Sequence, residues 1–198
     1  MRSGWTNRKG GSNPASNTPI SLSIGLWNRS PSNSNPVFRA ARSANSRTGV
    51  QSPAAINVVF IGPTGVGKTG LASGLLLKAL QNGYRGLFIK AQDLFDEMYA
   101  SIADRASRKL IRRWARLDVL LIDEVGYLNL RPEQTNIFFK LMEERYRRKA
   151  TLITTNLEYE AWPQLLGHKD LTEALLSRLR HQCQTIHING PSLREPQG

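Results

Sequence analysis

An apolar, largely β-branched run at residues 56–61 ends at a glycine and opens into Gly62-Pro63-Thr64-Gly65-Val66-Gly67-Lys68-Thr69. This octet satisfies the pattern G-x-x-x-x-G-K-[ST]. Its glycines let the backbone curl so that successive amides point inward, a concavity that suits phosphate oxygens. A helix beginning at Lys68 adds its positive end to the same spot. The Lys68 ammonium is expected to reach the β- and γ-phosphates of a nucleotide, and the Thr69 hydroxyl to supply a hard oxygen to Mg²⁺. A strand, a glycine loop and a helix in that order admit few folds other than an α/β sheet.

The rest of the chain from residue 54 onward agrees with that restriction. The pattern predicts a helix from Lys68 to Gln81, stopped by Asn82-Gly83, and a second strand at 86–90. A helical stretch broken once covers 93–116. Further strands are expected at 119–122, 151–155 and 185–188. Pro132 suits the first turn of a helix running to Arg148. Asp170 is expected to cap another helix, with Glu173 three positions on. Alternation of this kind predicts a parallel five-stranded sheet with helices on both faces.

A phosphate loop of this type needs an acid at the end of a neighbouring buried strand. Asp118-Val119-Leu120-Leu121-Ile122-Asp123-Glu124 supplies it. Asp123 is expected to hold Mg²⁺ with Thr69, and Glu124 to polarise an attacking water, an arrangement that a hydrolase needs and a nucleoside kinase does not. A third strand ends at Thr155-Asn156. Asn156 is assigned to orient the water near the γ-phosphate, with a simple turn residue as the alternative. No Asn-Lys-x-Asp guanine-reading motif occurs, which favours ATP over GTP.

Charge adds a partner. Lys and Arg number 27 against 15 Asp and Glu, a formal net charge of +12, which points first to nucleic acid and second to anionic lipid. Residues 1–53 hold Arg2, Arg8, Lys9, Arg29, Arg39, Arg42 and Arg47 without one acid, in a background of Ser, Asn, Pro and Gly. Such a segment buries too little apolar surface to offset its ordering entropy and is expected to be disordered, apart from a strand-like alternation at 20–26. A flexible arm on DNA phosphates or an inert extension suits it better than a transit peptide. Residues 54–198 form the expected folded domain.

Within that domain Arg105, Arg108, Lys109, Arg112, Arg113 and Arg116 recur at steps of three and one. They are expected to share one helical face, opposite Ala103, Ala106, Leu110 and Leu117, and to contact DNA phosphates without reading bases. A solvated face is the alternative. The single cysteine, Cys183, excludes an internal disulfide and fits a reducing compartment. His168, His181 and His187 lack metal-ligand spacing. No apolar run approaches the ~18 residues of a membrane span, so no membrane partner is expected.

Residues 58–194 resemble the IstB-like ATP-binding proteins, transposition helper ATPases of insertion sequences related to the DnaC helicase loaders. The resemblance rests on GPTGVGKT, LLIDEVGYL, FFKLMEERYRR, TLITTNLEYEAWPQLLG, ALLSRLRH and the closing GPSLR. It implies a P-loop AAA+ ATPase of the bacterial cytoplasm that assembles on DNA as a homo-oligomer, binds ATP between neighbouring subunits and assists a transposase. Loading of a replicative helicase is the related alternative, and a non-hydrolysing, ATP-gated DNA-binding protein the third. The resemblance gives Lys68, Thr69, Asp123, Glu124 and Asn156 the roles argued above. It further implies that Arg178 is an arginine finger for the next subunit, with Arg180 as the alternative, and that Arg194 senses nucleotide in its own subunit. Leu193 stands where the family usually carries an aromatic residue.

Overall fold

A computed structural model of the chain describes residues 56–126, 128 and 130–194. The expected basic disordered segment, its strand-like stretch and the boundary at residue 54 lie outside the described residues. Five strands, β1 (Asn57–Ile61), β2 (Gly86–Lys90), β3 (Val119–Val125), β4 (Ala150–Thr155) and β5 (Cys183–His187), pair in the order β2-β3-β4-β1-β5, every pair parallel. Six α-helices connect them: α1 (Lys68–Gln81), α2 (Ala91–Ala103), α3 (Ser107–Ala115), α4 (Pro132–Arg145), α5 (Trp162–Leu166) and α6 (Lys169–His181), with a 3₁₀ turn at Tyr159–Ala161 before α5. The predicted α/β class and strand number are borne out.

The period-two alternation of strand side chains separates two cores. On one face Val58, Phe60, Leu121 and Leu152 pack against α1 through Ala72, Leu75, Leu76 and Ala79. On the other, Val59, Ile61, Leu120, Ile122 and Ile153 meet a larger layer that includes Trp114, Phe138 and Trp162. Strands β1, β3 and β4 are covered on both sides, which is why they read as unbroken apolar runs in the sequence. Arg145 is 1% exposed and ties this layer together. Its guanidinium donates to the Thr151 hydroxyl (3.0 Å), to the carbonyls of Trp114 (2.8 Å) and Leu117 (2.9 Å), and to the carbonyl of Ala150.

Five local expectations need correction. Strand β3 runs three residues beyond Ile122, so Asp123 and Glu124 lie within it. Helix α4 stops at Arg145 because the chain turns there, with Arg147 at φ 58°. The helical stretch expected at 93–116 starts two residues earlier, at Ala91; its one expected break is present, at 104–106, with Arg105 at φ 51°. Helix α6 starts at Lys169 with His168 as its cap, so Asp170 lies in the first turn and makes no capping bond. Strand β5 begins two residues earlier than expected, at Cys183, because Asn57 draws the chain in through its N–H to the Gln182 carbonyl (2.8 Å). The short helix α5 carries no sequence period long enough to announce it.

Candidate nucleotide site

The loop 62–67 leaves the end of β1 and delivers Lys68 as the first residue of α1. Gly62 anchors it to the neighbouring strand, its N–H donating to the Thr155 carbonyl at 3.2 Å. Gly65 has φ 90°, and a Cβ there would fall 2.2 Å from the Ser192 hydroxyl oxygen, so both backbone shape and space demand glycine. The segment after β5 closes over the loop. The Leu193 N–H donates to the Gly65 carbonyl at 3.0 Å, and the Ile188 N–H to the Ile61 carbonyl at 2.8 Å. Val66 is buried, while Pro63 and Thr64 face outward.

The Lys68 ammonium donates to the carbonyls of Gly62 (2.7 Å) and Pro63 (2.6 Å). Partial burial lowers its pKa from 10.5; Asp123 and Glu124 oppose the shift, and the Arg194 guanidinium adds to it. Arg194 therefore acts electrostatically on the same spot as the loop lysine, although its side chain is exposed. The Thr69 hydroxyl donates to Asp123, at 2.9 Å to Oδ1 and 3.2 Å to Oδ2. Asp123 is only 2% exposed, and Glu124 beside it is exposed. A hydroxyl and a carboxylate converging in this way are hard oxygen donors of the kind a Mg²⁺ ion shares with phosphate oxygens. Among the described residues no cluster of three acids, histidines or cysteines forms a metal site.

Asn156 follows β4 directly and packs on the chain leaving β3: a Cβ at Gly126 would fall 2.1 Å from Asn156 Oδ1. It thus stands one residue past the strand tip, next to the acid strand. Thr154 was not singled out by the sequence. Its hydroxyl donates to Asp123 Oδ1 at 2.5 Å and accepts the Glu124 N–H at 2.9 Å. A threonine in an apolar strand opposite an Asp-Glu pair was the available signal.

Arg178 lies elsewhere. It sits on α6, its guanidinium 5.1 Å from the Phe139 ring centre and 3.8 Å from Glu143, and it donates to the Ala174 carbonyl at 3.1 Å. The adjacent Leu179 carbonyl accepts from the side chain of Asn57, the first residue of β1. The glycine loop follows the last residue of that strand, roughly 13 Å further on. Arg180 is exposed and lies over the Tyr159 ring at 5.1 Å.

The six predicted bases are not one helical face. Arg105 stands in the turn before α3, Arg116 caps its end, and only four belong to the helix. The break lets all six line one groove of about 960 Å³, joined by Arg85 and by the acids Glu97 and Asp104. Arg113 is paired with Glu97 at 2.5 Å. The apolar side of α3 is Ile111 and Trp114, both in the core, while Ala103 is exposed.

A parallel sheet in the order above, with the phosphate loop after β1 and the acid on β3, is a P-loop fold of the AAA+ type. Solved structures agree in fold: the DnaC helicase loader superposes with a TM-score of 0.58 at 23% identity, over 77% of this chain and 88% of that one. An AMPPCP-bound DnaA from Aquifex aeolicus gives 0.58 at 21%, over 77% of this chain and 45% of that one. The chain belongs to the IstB-like ATP binding protein family, whose model matches residues 46–197. It is similar to the ATP-binding proteins of insertion sequences IS232 from Bacillus thuringiensis subsp. berliner and IS21 from Pseudomonas aeruginosa. Identity is 33% and 34% over 70% of this chain, and 55% and 52% of the respective relatives are covered. The chain thus spans about half the length of the curated relatives it matches. Among the described residues no helix is long and apolar enough to cross a membrane.

Proposed function

We propose that this protein binds and hydrolyses ATP and, as a DNA-associated homo-oligomer, assists a transposase. The observation that carries the reading is the Thr69–Asp123 contact at 2.9 Å, which unites two motifs 54 residues apart. Residues 62–67 and the start of α1 receive the phosphates, and Lys68 exchanges its two loop carbonyls for phosphate oxygens. Thr69 and Asp123 fit Mg²⁺, which neutralises phosphate charge when bound. Glu124 accepts a proton from the attacking water, Asn156 orients that water, and the γ-phosphate leaves the β-phosphate oxygen. Arg194 contacts the phosphates from the closing segment.

Arg178 acts in trans. Its place next to Leu179, whose carbonyl accepts from Asn57 at the far end of β1 from the loop, keeps it from its own subunit's nucleotide and supports its service to a neighbour's. The groove lined by Arg105, Arg108, Lys109, Arg112, Arg113 and Arg116 takes the DNA phosphates. The insertion-sequence origin of the relatives supports a transposase as the partner. ATP turnover with and without duplex DNA tests the reading. Stimulation by DNA, together with co-purification with the transposase rather than a replicative helicase, is expected; the reverse preference, or ATP binding without turnover, contradicts it.

A further inference from the structure

Strands β3 and β4 pair Ile122 with Ile153 and then Val125 with Thr155. Two residues of β3, Asp123 and Glu124, therefore face one residue of β4, Thr154. This is a β-bulge, a device that re-aims side chains next to active sites. Regular pleating would send Asp123 and Glu124 to opposite faces of the sheet. The bulge instead places Glu124 at φ 62°, in the left-handed region that an L-residue holds only when its surroundings enforce it. One hydroxyl provides the enforcement on the β4 side. Thr154, 1% exposed, uses its proton on Asp123 Oδ1 and its oxygen on the Glu124 N–H. Its bonding capacity as a donor is spent, and both acids are oriented by the same atom.

We propose that Thr154 is a positioning residue for ATP hydrolysis, the hydroxyl that sets the metal-holding carboxylate of Asp123 and the water-activating carboxylate of Glu124 in mutual register. The inference rests on the reading of Asp123 and Glu124 given above. Removing the hydroxyl frees Glu124 to relax its backbone and leaves Asp123 with Thr69 as its remaining hydroxyl partner, while the loop that holds the phosphates is untouched.

The test compares Thr154→Val, which keeps the shape and deletes the hydroxyl, with Thr154→Ser, which keeps the hydroxyl. The parent is measured first, for ATP turnover and for ATP binding with and without Mg²⁺. In the valine variant kcat is expected to fall about 10- to 100-fold, the loss of a hydrogen bond to a charged group, with KM within about twofold of the parent by the same measure. Its Mg²⁺ requirement rises, and its metal-free ATP affinity is unchanged. The serine variant restores both. Parent-like turnover and Mg²⁺ requirement in the valine variant overturn the proposal, as does a serine variant as impaired as valine, since packing of the methyl would then be what matters. If the parent binds ATP and does not hydrolyse it, the functional reading fails, while the Mg²⁺ requirement still decides the role of Thr154. Should the valine variant not fold, Thr154→Ala carries the same comparison.

Discussion

The Thr69 hydroxyl donates to the Asp123 carboxylate at 2.9 Å, joining the helix after β1 to a strand two places away in the sheet. Two predicted motifs thus meet at one point, and the nearby groups define what each is expected to do.

Glu124→Gln keeps the side-chain size and removes the proposed base. ATP binding should stay near the parent value while turnover drops about 10²- to 10⁴-fold, the usual range for loss of general-base assistance. Equilibrium binding and steady-state turnover on the same preparation check this; turnover at the parent rate removes Glu124 from the proposed role.

Lys68 gives a pH signature. Partial burial, aided by Arg194, holds its pKa below 10.5 against Asp123 and Glu124. A triphosphate favours the protonated lysine, so ATP affinity should be full near neutrality and fall as pH rises through that lowered pKa. In Lys68→Arg the fall should move to higher pH, because a guanidinium stays charged. Binding isotherms across the alkaline range distinguish this from a pH-independent site.

The groove should respond unevenly to mutation. Arg108→Ala and Arg112→Ala should each reduce the slope of log affinity for DNA against log salt by about one. Arg113→Ala should change it less, because Glu97 already neutralises that guanidinium at 2.5 Å. Equal slopes in all three variants and the parent would place DNA elsewhere.

Arg145 is a stability residue. Replacing it with methionine leaves the Trp114, Leu117 and Ala150 carbonyls without this donor and should cost about 3 kcal/mol or more in denaturant unfolding.

Much of this architecture was legible in the residues. Strands buried on both faces announce themselves as apolar runs, and the order of glycine loop, lysine and distant Asp-Glu needed no coordinates. Other features were hidden for physical reasons. A break in this stretch was expected, but its place was not: it falls at Arg105, a positive-φ turn at a residue type that does not mark it, so six bases sharing a groove looked like six bases sharing a helix. The bulge opposite Thr154 is a matter of strand register, which depends on β4 and not on the local pattern of β3. Nothing in the local pattern marks Arg145 as buried, since its four acceptors come from two stretches of chain outside its own helix.

Dependence of the ATPase on neighbouring subunits is the central claim. It is tested most directly by mixing Arg178→Ala with Glu124→Gln. Each variant alone should be at least about 10²-fold below the parent. Together they should recover a substantial part of the activity, because an interface with an intact Glu124 on one side and an intact Arg178 on the other exists only in the mixture. Arg178→Ala turning over at the parent rate, or a mixture no more active than its components, would contradict the account.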